Sequence, residues 1–172
     1  MKKVCFTGHR KIPIYSKPRL MNLLTEYIED LVSNGVYDYY AGGALGWDTM
    51  AAEAVLTVRN KNENVKLHLI LPCDNASQTA KFTISEKTVF DYILNLADTV
   101  EYTSQKYFPG CMARRNRKLV EYADLCLCYY DDKNKSGGTL QTINFAKEKG
   151  IPVFNFKTGE NMNSNYQIRL NR

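Results

Sequence analysis

The sequence predicts an α/β domain with a doubly wound, mainly parallel sheet and helices on both faces. Short apolar runs alternate along the chain with stretches of helical period. The central runs VKLHLIL and DLCLCYY are apolar at nearly every position, as strands covered on both faces must be. Glycine-rich turns join several of these runs to the helical stretch that follows, which is where such sheets place their ligand crevice.

The elements follow in order. Residues 3–7 (KVCFT) form a short apolar strand, and 17–34 set Leu20, Leu23, Leu24, Tyr27, Ile28, Leu31 and Val32 on one helical face. Asn34-Gly35 stops that helix. Residues 36–41 (VYDYYA) read as a strand, and 46–59 carry Met50, Ala51, Ala54, Val55 and Val58 at helical spacing. A third strand, 65–71, ends at Pro72. Residues 84–97 are helical and 99–103 form a short strand. Then come a helix over 112–123, a strand over 124–130, a helix over 138–149 that turns Leu140, Ile143 and Ala146 inward and ends at Gly150, and a last strand over 151–156. We expect one domain over residues 1–157 and a polar, loosely held tail over 158–172.

Composition narrows the function classes. The 172 residues suit one domain, and 44% hydrophobic with 24% charged residues supply an ordinary core. No apolar run approaches the roughly 20 residues of a membrane span, and MKKVCF is too short an apolar stretch for a signal peptide. A soluble, cytoplasmic protein is the expectation, with no membrane partner. The five cysteines match no disulfide framework. Cys126 and Cys128 share one side of a strand and read as small buried hydrophobes; a metal or redox pair is the sharper alternative. With two histidines, a histidine-rich metal site is not expected, nor is a resident cofactor. His68, mid-strand, reads as a packed histidine. The net charge of +5 is modest, and the densest basic cluster is Arg114, Arg115, Arg117 and Lys118. Such a cluster fits a nucleic-acid face or a phosphate pocket, but the twelve tyrosines are scattered rather than interleaved with it, which weighs against nucleic acid.

Four loops carry the chemistry. In Thr7-Gly8-His9-Arg10, Gly8 permits close backbone approach and Arg10 offers a fork of donors to phosphate or carboxylate. In Gly42-Gly43-Ala44-Leu45-Gly46-Trp47-Asp48, glycines before a helix let N–H groups face an anion. The spacing is neither the dinucleotide fingerprint nor a Walker loop. Asp48 caps the helix, orders the loop or accepts bonds from a ribose. After Gly110, the basic run puts Arg114 and Arg117 on one helical face and Arg115 with Lys118 on a neighbouring one, with Asn116 between the arginines. It is either a solvated face or a ligand contact. Ser136-Gly137-Gly138-Thr139 repeats the glycine-before-helix pattern with two hydroxyls, a phosphate cradle or a capped turn. Together the loops predict a nucleotide-like, phosphorylated small molecule held at one sheet edge.

TGHR, GGALGWD, ARRNRKLVEYAD and SGGT followed by TINFA resemble, in order, the YpsA-like family of the SLOG superfamily, named for the SMF/DprA and LOG proteins. The motifs run from residue 6 to about residue 154. The resemblance implies a Rossmann-like fold and binding of a nucleotide or nucleotide-derived molecule at the glycine-rich loops, in a sensor or regulatory role. The LOG branch cleaves the N-glycosidic bond of nucleoside monophosphates, with a PGGxGTxxE signature whose glutamate acts with an upstream arginine. Arg115 matches the arginine, but SGGTLQTIN places Gln141 and Thr142 where acidic residues are expected. Asp48 is then the candidate catalytic carboxylate, with Glu53, Asp131 and Asp132 nearby in sequence. The DprA branch binds single-stranded DNA and shows a similar RNR segment. Exposed tyrosines and Trp47 are candidates for a homo-oligomer face, by analogy with such folds.

Overall fold

The computed structural model describes residues 2–133 and 136–162. The strands are β1 (Lys3–Gly8), β2 (Asp38–Ala41), β3 (Lys66–Leu71), β4 (Thr99–Tyr102), β5 (Leu125–Tyr129), β6 (Val153–Asn155) and β7 (Glu160–Asn161). The helices are α1 (Lys17–Ser33), α2 (Trp47–Arg59), α3 (Asn75–Thr79), α4 (Ile84–Leu96), α5 (Cys111–Tyr122) and α6 (Gly138–Lys149). The sheet order is β4-β3-β2-β1-β5-β6-β7, parallel from β4 to β6 and antiparallel only at β7. This is the doubly wound α/β architecture.

Strand alternation divides the core into two layers. Val4 and Phe6 of β1, Leu67, Leu69 and Leu71 of β3, and Leu125 and Leu127 of β5 face a layer shared with α1, α2 and α4. Cys5, Ile70, Cys126 and Cys128 face the opposite layer with α5 and α6. Cys126 and Cys128 thus serve as core side chains, and burial pushes the Cys128 thiol up. His68 packs on Tyr40 at 4.5 Å between ring centroids and bridges Thr99 and Asp38.

Local chemistry sets the helix ends. Thr83 and Glu86 form a reciprocal capping box at the start of α4, a device that contributes about 1 kcal/mol. Gly150, in the left-handed region, closes α6. Lys149 caps a different helix: its ammonium donates to the carbonyls of Val120, Glu121 and Ala123 at the end of α5.

Several sequence expectations change. Leu23 is 41% exposed, because the α1 stripe that reaches the sheet is the narrower set Leu20, Leu24, Tyr27 and Ile28. Trp47 is fully buried, stacked near Tyr129, and its indole N–H donates to the Leu127 carbonyl at 3.1 Å. It belongs to the core and not to a subunit face. Burying about 200 Å² of aromatic surface contributes on the order of 5 kcal/mol before entropy. The short α3 and the hairpin return β7 were not anticipated. β7 falls within the stretch expected to be a tail; residues 163–172 of that stretch lie outside the described residues. Among the described residues, no helix is long and apolar enough to cross a membrane.

Candidate functional site

The strand order reverses at β1. The chain builds outward from β1 to β4, then returns to place β5 on the other flank of β1. The loops leaving β1 and β5 therefore diverge, and a crevice opens at their carboxyl ends. A cavity of about 440 Å³ lies there.

The four loops singled out in the sequence all reach this crevice. Gly8, His9 and Arg10 line it from β1; Ala44 and Asp48 from the turn before α2; Arg115 and Asn116 from α5; and Ser136, Gly137, Gly138 and Thr139 from the turn before α6. Arg117 does not reach it. One position further round α5, it points outward and stacks its guanidinium over the Phe145 ring of α6 at 4.1 Å. Lys118 turns to Glu101, at 3.5 Å.

Gly42, Gly43 and Gly46 stand behind the cavity wall rather than on it. A Cβ on Gly42 would collide with the Arg115 guanidinium, and one on Gly46 with the Arg10 carbonyl. Gly8 is similar, since a Cβ there would strike the Trp47 side chain. The turn before α2 is thus filled by the protein's own groups. Asp48 Oδ2 accepts the N–H groups of Gly42, at 3.2 Å, and Ala44, at 3.4 Å. Asp48 therefore orders the loop and does not cap α2.

Arg115 completes the arrangement. Its Nη1 donates to the Gly42 carbonyl and lies 3.9 Å from Asp48 Oδ2; its Nε donates to Asn116 Oδ1 at 2.8 Å. Asn116 in turn donates from Nδ2 to the Gly138 carbonyl at 3.3 Å. One buried polar relay, Asp48–Arg115–Asn116, therefore ties both glycine-rich turns together. Burial pushes the Asp48 carboxyl up, and the Arg115 guanidinium and the two loop N–H groups pull it part of the way back. Burial likewise lowers Arg115, against the raising effect of Asp48.

The turn before α6 is different. Its N-cap is Gly137, with φ of +103° and no side chain to cap the helix. A Cβ there would meet nothing within 4 Å among the described residues. Helix geometry leaves the first-turn N–H groups without intrahelical acceptors. Thr142 secures the turn from behind by donating to the Gly138 carbonyl at 2.8 Å. Arg10 stands exposed at the cavity mouth and makes no salt bridge among the described residues.

His9 holds the neighbouring loop. Its Nε2 accepts the Asp131 N–H at 2.7 Å, which places the ring proton on Nδ1. Asn155 was missed in the sequence. It is buried, and its amide both donates to the Tyr130 carbonyl and accepts the Tyr130 N–H, pinning the end of β5. Only its position at the end of the last predicted strand hinted at this role. Met112, also on the wall, was masked by the basic run around it.

A family model described as the YspA SLOG family matches residues 4–160. The chain belongs to the YspA SLOG family. The match spans all four loops, as the order of their motifs implied. Among proteins similar to this family member are the UPF0398 protein BH1768 of Halalkalibacterium halodurans, 23% identical over 87% of this chain and 82% of the relative, and a UPF0398 protein of Bacillus pumilus, 26% identical over 78% and 76%. In structure it is similar to DNA processing protein A of Helicobacter pylori, a single-stranded DNA binder (TM-score 0.62, 25% identity, 89% of this chain). This chain spans 64% of that protein's length. TM1055 shares the fold, with a TM-score of 0.56 and 20% identity over 90% of this chain and 73% of that one.

In this SLOG-family chain, the crevice combines two hydroxyls with helix N–H groups that no described side chain caps and an arginine that no described side chain pairs. That set suits an anion with further polar groups attached.

Proposed function

We propose that the crevice binds the phosphate-bearing end of a nucleotide or nucleotide-derived molecule, and that the domain acts as a sensor or regulatory module for it. The observation that carries this reading is the open first turn of α6. Gly137, Gly138 and Thr139 face the same cavity as Arg10, and among the described residues no protein group fills the space at Gly137. The phosphate accepts N–H bonds from that turn and a charge-assisted bond from Arg10. Arg115 has a supporting role, because its guanidinium is already engaged by Gly42 and Asn116.

The hydrolytic alternative, a nucleoside 5'-monophosphate glycosidase, needs a carboxylate free to act at the sugar. Asp48 lines the cavity, but its Oδ2 is held by the Gly42 and Ala44 N–H groups. Binding without turnover is therefore the reading favoured. Single-stranded DNA is the further alternative, supported by the likeness to the Helicobacter pylori protein.

A thermal-shift titration with AMP, adenosine, ADP-ribose and a short single-stranded oligonucleotide tests this. AMP or ADP-ribose should raise Tm, adenosine should do so far less, and the ligand should be recovered intact. Arg10→Ala should weaken the phosphorylated ligand about tenfold while changing stability by less than about 0.5 kcal/mol. Release of free base would make the domain an enzyme. Stabilisation by the oligonucleotide alone, lost steeply with salt, would make it a DNA binder.

A further inference from the structure

Beyond Arg10 and Ala44 the phosphate cavity continues into a second chamber of about 510 Å³. The two share Arg10, Ala44, Met112 and Arg115 as a common wall, so one ligand can lie across both. The first joins backbone, hydroxyls and charge to Phe6, His9, Asn116 and aliphatic side chains. The second brings two further aromatic rings and a further amide: Phe82 and Gln78 from the β3–α4 connection, and Tyr107 from the β4–α5 connection.

The three are held in different ways. Tyr107 is 59% exposed. Phe82 is held from behind by an edge contact with Phe90, at 6.0 Å between centroids. Gln78 donates from Nε2 to the Gly43 carbonyl at 2.7 Å, which fixes the amide orientation, while its enclosed Oε1 has no hydrogen-bond donor among the described residues. A buried acceptor left without a donor is unfavourable, and a turn of the Gln78 side chain that brings Oε1 to a ligand N–H on that wall would relieve it. Aromatic faces beside an oriented amide are the chemistry that recognises a planar heteroaromatic base.

One competing place for such a group is a cavity of about 600 Å³ between α5 and α6, which shares Gly137 and Gly138 with the phosphate cavity but whose single aromatic ring, Phe145, already carries the Arg117 guanidinium at 4.1 Å; another is a cavity of about 430 Å³ between α1, α2 and α4. The latter meets the phosphate cavity only at Arg10 and presents Lys17, Glu53 and Glu86 with aliphatic side chains and no aromatic ring.

Building on the phosphate reading above, we infer that the second chamber is the base subsite of a nucleoside 5'-phosphate. The base lies against Tyr107 and Phe82 with an N–H edge toward Gln78, and the phosphate stays at Gly137–Thr139. The sugar passes between Ala44 and Met112.

Calorimetry with AMP, GMP, CMP, UMP and ribose 5-phosphate tests this on the wild type, Tyr107→Ala and Tyr107→Phe. Tyr107 is exposed, so both variants should fold. At least one nucleotide should bind the wild type more tightly than ribose 5-phosphate. Tyr107→Ala should raise that nucleotide's Kd by roughly 5- to 100-fold, the range set by base–aromatic stacking. Tyr107→Phe should restore it, and ribose 5-phosphate should bind all three alike. The base subsite is overturned if ribose 5-phosphate binds but no nucleotide binds more tightly, if Tyr107→Ala leaves the nucleotide Kd within twofold, or if it weakens both ligands equally. If the wild type binds none of the five, the phosphate reading fails and the base subsite fails with it.

Discussion

Two glycine-rich turns precede helices on the same edge of this sheet, and they do opposite things. In the turn before α2, the space that glycine creates is taken by the protein: Arg115 against Gly42, the Arg10 carbonyl against Gly46. Its N–H groups at Gly42 and Ala44 are already bonded to Asp48. In the turn before α6, the space at Gly137 is empty of described residues and none of them caps the helix N-terminus with a side chain. The first turn is a latch, and the second is the one we propose as a cradle. The difference shows that glycine beside a helix signals close approach without saying by what.

The latch should fail first and hardest. Arg115→Ala leaves the Asp48 carboxyl buried without its cation and the Gly42 carbonyl without its donor. Breaking a buried pair of this kind costs about 3–5 kcal/mol. For a chain of this length that lowers Tm by roughly 10 °C or more, read by calorimetry or circular dichroism. A loss below about 1 kcal/mol would mean that Arg115 is a free ligand-binding arginine and that the latch is misassigned.

The glycine pair sharpens the contrast. Gly42→Ala must displace a buried, hydrogen-bonded guanidinium, so it should cost about 2–3 kcal/mol. Gly137→Ala meets open space among the described residues and carries only the penalty of a glycine-only backbone conformation, about 1–3 kcal/mol. Its larger effect should be on binding of a phosphorylated ligand. A Gly137→Ala variant that binds that ligand as tightly as the wild type would erase the distinction between the turns.

Most of the fold was legible because periodicity is local. The helices over 17–34, 46–59 and 138–149 were visible in their own apolar spacing, and these with 84–97 and 112–123 ended within a residue or two of their true limits. The five-residue α3 carried no such stripe, and β7 is too short for alternation to register. The site was legible as a set of loops but not as a set of roles. The partner that fills Gly42 comes from 73 residues away, and nothing local to GGALGWD announces it. Within ARRNR, helical spacing separated Arg115 from Arg117 but could not say which face met the sheet. The structure decides that by burying Cys111, Arg115, Leu119 and Val120 together. Gln78, Phe82 and Tyr107 lay in connections that showed no motif at all.

The smallest effect lies far from both turns. Burial would raise the Asp98 carboxyl, but the Leu67 N–H, Arg59 and Lys66 more than offset it and hold it below its ordinary value near 3.8. A carboxyl lowered in the folded state stabilises fully above its unfolded value, and that contribution disappears as pH falls through the folded value. Asp98→Asn should therefore cost up to about 1 kcal/mol at pH 6 after solvent screening, and almost nothing near pH 2. Urea unfolding at the two pH values checks this. A cost that does not shrink in acid would assign Asp98 a role other than its charge.

The most direct test of the central claim is a backbone amide NMR titration with AMP, with adenosine as the control. The cradle predicts that AMP shifts the Gly137, Gly138 and Thr139 amides strongly, with adenosine shifting them little and the Gly42 and Ala44 amides nearly still. Large shifts at Gly42 and Ala44 with Gly137–Thr139 unmoved would contradict it, and would place the anion at the turn we describe as filled.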